Sequence, residues 1–412
     1  MDLNIVGEKL HVRIVAFSLI AVSCFALYLR YPVKVLRLSL PPPQDFSVYL
    51  KAWDRVSHSQ TPYVAADELP YKYAPGVLPL VRLLPTRPQN AWYVFGSISI
   101  FLFGLSLFAG ARYSSWREVG YLALGLALAW KGIIENLDYG QLDLLLWALA
   151  LLAAVFLRRT AFFSGLLIGT LPWLKLPWLL ILVPFWLAAW APAVGVQGLD
   201  PRAPRRLRML VSGYALSCLA WGAIIPSFVF GSDKAIEYSQ AWLGLLRTQP
   251  PSIYLHDMNQ SLWVLIPRWL GMEPALPNVL TTGLTLVIGG IFSGILVAQP
   301  PRGRGALAWL APWVLLLQLM NPLAWRWASL FVVGVPFACD RAGLERARPS
   351  AFAFVLWGAV TALWLVQLNP VAQAMGARHW TDFHPFGTIG LYWIVLLLLM
   401  LERARARDRA AQ

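Results

Sequence analysis

Charge is scarce in this chain. Asp, Glu, Lys and Arg together supply 13% of 412 residues while 58% are hydrophobic, and soluble domains carry about 25% charged residues. Cysteine is nearly absent: Cys24, Cys218 and Cys339 all fall inside apolar runs, where a thiol packs as a small hydrophobe. That excludes a disulfide framework and any cysteine metal spacing. No glycine-rich lysine loop of the phosphate-cradling kind occurs, which counts against ATP hydrolysis. Repeats, Gly/Ser linkers and low-complexity tracts are also missing, so residues 1–412 read as one membrane body. The first apolar run lacks a small-residue cleavage site and reads as a retained span.

What is present is a series of apolar runs, at about 12–29, 91–110, 119–134, 140–157, 161–173, 176–190, 209–230, 278–298, 306–320, 323–339, 351–368 and 386–401. The expected fold is therefore all-α, a polytopic membrane protein of about twelve transmembrane helices. The fifth run is shorter than a full crossing and reads as tilted or re-entrant. A net charge of +14 would suggest nucleic acid in a soluble chain, but here the basic residues sort by loop. With the N-terminus inside, Arg112 and Arg117, Arg158 and Arg159, Arg202 to Arg208, Arg302 and Arg304, Arg341 to Arg348, and the basic tail 402–412 all fall on the cytoplasmic face. No nucleic-acid partner is expected. Two large loops remain outside, about 30–90 and 231–277, both rich in aromatics, proline and mixed charge, with short amphipathic helices expected in each.

Candidate residues concentrate in and around those loops. Asp45 follows three consecutive prolines and opens an amphipathic stretch; it reads either as an N-cap or as a carboxylate placed to take a proton from a hydroxyl, and the roles are compatible. Residues 130–143 carry Lys131, Glu135, Asn136, Asp138, Gln141 and Asp143 at the outer end of an apolar hairpin, where ionisable groups are costly unless paired or facing water. Lys131 and Glu135 are four apart and can pair. Asn136 and Gln141 offer donors and acceptors to a sugar or diphosphate, or close the turn around Gly140. Lys175, between Pro172 and Pro177, snorkels or meets an anion. A hydrogen-bonding patch holds His256, Asp257, Asn259, Gln260, Ser261 and Arg268, with Asp257 as a possible helix cap. Arg326, between Trp325 and Trp327, reads as a ligand for a lipid phosphate or as an interface anchor. His379 and His384 flank Asp382 too loosely for a metal centre, and neither metal nor cofactor is expected.

Four stretches taken in order resemble the polyprenol-phosphate-sugar-dependent membrane glycosyltransferases of family 87. They are DFSVYLKAWDRVSHSQTPYVAADELPYKYAPGVLPL, NLDYGQLDLLLWALALLAAVFLRR, FFSGLLIGTLPWLKLPWLLILVPFWL and NQSLWVLIPRWL, within about residues 44–335. The resemblance implies the GT-C fold, a bacterial cytoplasmic membrane location, and a site facing the periplasm or cell exterior. It implies transfer of a hexose, mannose foremost, from a polyprenyl-phosphate-linked donor to a lipid or glycan acceptor, with membrane lipids as surroundings. Asp45 then takes the place of the general base. Tyr49, Lys72, Tyr73, Asn136, Gln141, Lys175, Asn259, Gln260 and Arg326 stand as substrate-binding positions. The chain departs from the family in the late spans, where NPLAWRW puts Arg326 and Trp327 in place of a histidine pair. Arginine does not titrate near neutrality as histidine does. The competing readings are a lipid-linked sugar flippase or transporter, for which no inverted repeat is visible, and a non-catalytic scaffold in surface-glycan assembly.

Overall fold

The computed structural model describes residues 3–67, 69–111, 113–157, 159–190, 202–248, 256, 258–271, 279–298, 305–321, 324–339 and 351–411. The clusters at Arg302 and Arg304 and at Arg341 to Arg348, together with Arg112, Arg158 and Asp257, lie outside them. Within the described residues the chain is all-α, and extended pairing is confined to two isolated bridges, Ala111 to Gly305 and Asn259 to Trp325.

Among the described residues, three helices are long and apolar enough to cross a membrane: Leu10–Arg37, Pro88–Gly110 and Ala203–Phe230. At about 1.5 Å per residue, 28 residues reach about 42 Å, more than a hydrocarbon core of about 30 Å. Their outer faces are greasy. Phe17, Val22 and Phe25, then Ile98 and Phe101, then Leu216, Leu219 and Phe228 are exposed, Phe228 to 90%. Such surfaces suit lipid and would drive aggregation in water. The first and third of these helices each contain one π-helical turn, Leu29–Val33 and Ala220–Ile224. Each turn lies at or just before a proline, Pro32 or Pro226, which cannot donate to the preceding turn.

The other apolar runs are also helical where described; most are apolar over only 10–17 residues, while Trp116–Tyr139 is 24 residues long but interrupted by Lys131, Glu135 and Asp138. Two depart from α geometry. The run at 176–190 begins as a 3₁₀ helix, Leu176–Ile181, and only then becomes α, Leu182–Trp190. That at 323–339 is 3₁₀ over Arg326–Gly334, followed by the single α turn Val335–Ala338. Gly125 and Gly132 let the 3₁₀ backbone press close, because a Cβ at either would strike the main chain of Val333 or Leu330.

The chain folds as two compact units. One comprises Phe17–Gly110 and Ile134–Gln249, the other Met1–Ala16, Ala111–Ile133 and Pro250–Gln412. In the first, Ala161–Leu174 packs along Ala203–Leu219, and Pro88–Gly110 along Asp143–Phe156. The former pair is joined by small residues, as membrane helices often are. A Cβ at Gly165 would collide with the Leu210 carbonyl, and one at Gly213 with the Phe162 carbonyl. Thr170 Oγ1 meets Ser217 Oγ at 3.1 Å and accepts the Trp221 indole N–H at 3.0 Å. In the second unit, Ala351–Leu365 packs on Thr388–Ala411, and the 3₁₀ helix Arg326–Gly334 on Ala306–Met320.

Candidate functional site

The helix Gln44–Ser57 starts where the proline run ends, with Pro43 extended at φ −51° and ψ 147° in the N-cap position. Asp45 therefore sits in the first turn and does not cap, contrary to one of its two sequence readings. Its charge still gains from the helix dipole. Phe46, Tyr49 and Ala52 face inward, and the Phe46 ring lies 5.2 Å from both Trp92 and Phe95. The loop after the helix is held by Asp67. Arg55 grips its carboxylate with both terminal nitrogens, at 2.5 and 2.8 Å, and Lys51 adds a third contact at 3.0 Å. The Arg55 guanidinium holds the Asp67 carboxyl down to about 2.

A tight turn joins the helices Trp116–Tyr139 and Asp143–Phe156. Gly140 at its tip has φ +72°, and a Cβ there would come within 2.8 Å of Pro43 and 2.9 Å of Phe46. Only glycine allows both the left-handed backbone and this approach to the start of the Asp45 helix. The next residue, Gln141, donates its side-chain amide to the Asp45 carboxylate. Asn136 serves the turn itself: it donates to Asp143 at 3.5 Å and accepts the Leu144 N–H at 3.4 Å, while its carbonyl accepts the Gln141 N–H at 2.9 Å.

Asp143 is 1% exposed in its side chain and accepts the Lys175 ammonium on both oxygens, at 2.9 and 3.1 Å. Lys175 does not snorkel away. It stands at the break between Ala161–Leu174 and the following 3₁₀ helix, in extended backbone at φ −157° and ψ 105°, which turns its side chain inward to the hairpin. Asp143 was legible only as one of several polar residues in its string; its partner lies 32 positions away, and no local spacing announces it.

Burial pushes the Asp45 carboxyl up to about 6; the positive charges of Lys175 and Lys72 pull it down, and Asp143 adds to the rise. Lys72 is half-buried, and burial lowers its ammonium from the ordinary lysine value. Among the described residues it forms no salt bridge, although it senses Asp45. Its backbone is clamped on both sides. The Trp242 indole donates to the Lys72 carbonyl at 2.9 Å, and the Tyr63 hydroxyl to the Tyr73 carbonyl at 2.9 Å. Trp242 belongs to the helix Ser232–Arg247, so the first half of the second large loop braces the first loop. Tyr49 and Tyr73 stack at 4.6 Å, and the Tyr71 ring lies edge-on to Tyr49 at 6.1 Å. Burial raises all three phenols, which stay protonated as hydrogen-bond donors.

Asn259, Gln260 and Arg326 belong to the other unit and form a cluster there. Asn259 pairs in a bridge with Trp325, the Gln260 N–H donates to the Ala324 carbonyl at 2.7 Å, and the Arg326 N–H to the Met258 carbonyl at 3.2 Å. The Asn259 side chain accepts the Ser261 N–H at 3.1 Å, where the helix Leu262–Trp269 begins. Gln260 Oε1 accepts the Gly390 N–H at 3.3 Å. The Arg326 guanidinium lies 5.3 Å from the Trp380 ring centre and the Lys131 ammonium 4.9 Å from it. The Asp382 carboxylate closes its own turn by accepting the N–H groups of Arg378 and His379.

The structure thus joins Asp45, Gln141, Lys72, Tyr49, Tyr73, Asn136 and Lys175 in one neighbourhood and adds Asp143 and Trp242. Chemically it offers a carboxylate that ionises near neutrality, an oriented amide, an ammonium with no salt bridge among the described residues and an aromatic wall. No protein-family model and no curated protein sequence matches the chain.

Proposed function

We propose that the chain is a membrane hexosyltransferase of the GT-C kind, with about twelve spans. It takes a hexose, mannose foremost, from a polyprenyl monophosphate sugar and passes it to a lipid or glycan hydroxyl at the outer face of the cytoplasmic membrane. The observation that carries this reading is Asp45, a half-buried carboxylate held by Gln141, pushed up to about 6 and flanked by two lysines. A general base works best when its pKa lies near the operating pH.

In the proposed step Asp45 accepts the acceptor's hydroxyl proton as that oxygen bonds to the anomeric carbon. The bond from that carbon to the phosphate oxygen breaks, its electron pair leaves with polyprenyl phosphate, and the anomeric configuration inverts. Lys72 offsets the charge that grows on the leaving phosphate, and Gln141 fixes the face that Asp45 presents. Tyr49 and Tyr73 supply an apolar surface and donors to the sugar. Asn136 contributes by holding the turn. Asn259, Gln260 and Arg326 are proposed as substrate contacts of the second unit, on the resemblance alone.

The test is replacement of the base and its return. Asp45→Ala should cut transfer by about 1,000-fold, and formate supplied in solution should restore a measurable part, because a small carboxylate fits the space the side chain leaves. Activity within a few fold of the unmodified protein would remove Asp45 from this role.

A further inference from the structure

Asp143 and Lys175 form an ion pair beside the proposed base that the proposed step does not use. The Lys175 ammonium is gripped by both oxygens of a carboxylate 1% exposed, at 2.9 and 3.1 Å. Asp143 is held in turn by Asn136. It lies two residues beyond Gln141, the residue bonded to Asp45. One turn of chain therefore ties Asp45, through Gln141, to a half-buried cation whose position Asp143 dictates.

Resting on the reading above, we propose that Asp143 and Lys175 are positioning residues for Asp45: Asp143 fixes the Lys175 ammonium and moderates its charge, and the pair together sets the charge state in which Asp45 meets the acceptor hydroxyl. The groups facing Asp45 come from four elements. They are Gln141 and Asp143 from the hairpin, Lys175 from the helix break, Lys72 and Tyr73 from the first large loop, and Tyr49 from its own helix. Lys175 favours the ionised carboxylate more than any other charge there, and Asp143 opposes ionisation. The two members of the pair thus act on Asp45 with opposite sign.

That opposition gives a test a purely structural role would fail. The titration of Asp45 is followed by isotope-edited infrared spectroscopy of the purified protein in lipid, its band identified by its loss in Asp45→Asn. Lys175→Met should raise the midpoint by about one pH unit, because a nearby opposite charge shifts a carboxyl by about 1 to 3 units. Asp143→Asn should lower it, since Lys175 then acts without its counter-charge, and Lys175→Arg should leave it near that of the unmodified protein. Local unfolding would instead move both variants toward an ordinary exposed carboxyl. Midpoints that shift in the same direction, or do not move, overturn the proposal. If Lys175→Met fails to fold, Lys175→Gln takes its place: a higher midpoint supports the proposal, because local unfolding lowers it, and an unchanged or lower one removes it. The readout needs no sugar donor. Opposite shifts without sugar transfer under any condition would leave the electrostatic pairing standing and remove the transferase reading; transfer with unmoved midpoints would do the reverse.

Discussion

At neutral pH the ionised form of Asp45 is held against its surroundings. Burial favours the protonated acid, and the folded carboxyl sits near 6, above its ordinary value. The stability linked to this group is therefore full below the ordinary carboxyl range and lost as pH rises through about 6. Catalysis runs the other way, because a base must be unprotonated to accept. Transfer should accordingly fall about tenfold per pH unit below 6 and level off above it, and a profile flat from pH 5 to 8 would contradict the assignment. The same reasoning separates function from folding at one residue. Asp45→Asn keeps the shape and removes the buried charge, so it should abolish transfer and unfold at a temperature no lower than the original, as read by a thermal scan at pH 7.5. Asp45 was legible as a candidate because it follows three prolines at the start of an amphipathic stretch, and Gln141 because it interrupts an apolar hairpin with a polar side chain. Their bond was not, since 96 positions separate them.

Among the elements, the first loop depends on Asp67 more than its plain setting in the sequence suggests. Arg55 and Lys51 come from the helix that carries Asp45, and Asp67 from the segment leading to Lys72. Three charge-assisted bonds thus fix the helix against that segment. The Asp67 carboxyl, held near 2, contributes stability that is present above the ordinary carboxyl value and is lost as pH falls through about 2. Asp67→Asn should cost about 1 to 3 kcal/mol at neutral pH and raise KM for the donor with a smaller change in kcat, measured by steady-state kinetics beside limited proteolysis of the loop. Unchanged cleavage and KM would mean that the tyrosine and Trp242 contacts alone hold the loop. The length of the apolar runs announced the helices well, as 91–110 within Pro88–Gly110 and 209–230 within Ala203–Phe230 illustrate. It failed at Arg326–Gly334, where 3₁₀ geometry follows from the close approach allowed by Gly125 and Gly132, residues about 200 positions earlier. It also gave no hint that the second large loop divides, its first half bracing Lys72 and its later part starting the helix Leu262–Trp269 in the other unit.

For the whole molecule, the proposal of a membrane enzyme acting on a lipid-linked substrate rests on exposed apolar helix faces, three helices of spanning length among the described residues and a carboxylate poised near neutrality. The measurement that bears most directly on that account is transfer of labelled sugar from a panel of polyprenyl-phosphate sugars by the purified protein in lipid, with a broad acceptor mixture, with and without chelator, and beside Asp45→Asn. Transfer from one donor of the panel, persisting in chelator and lost in the variant, is the predicted result. No transfer from any donor by folded protein, or equal transfer by Asp45→Asn, would contradict it.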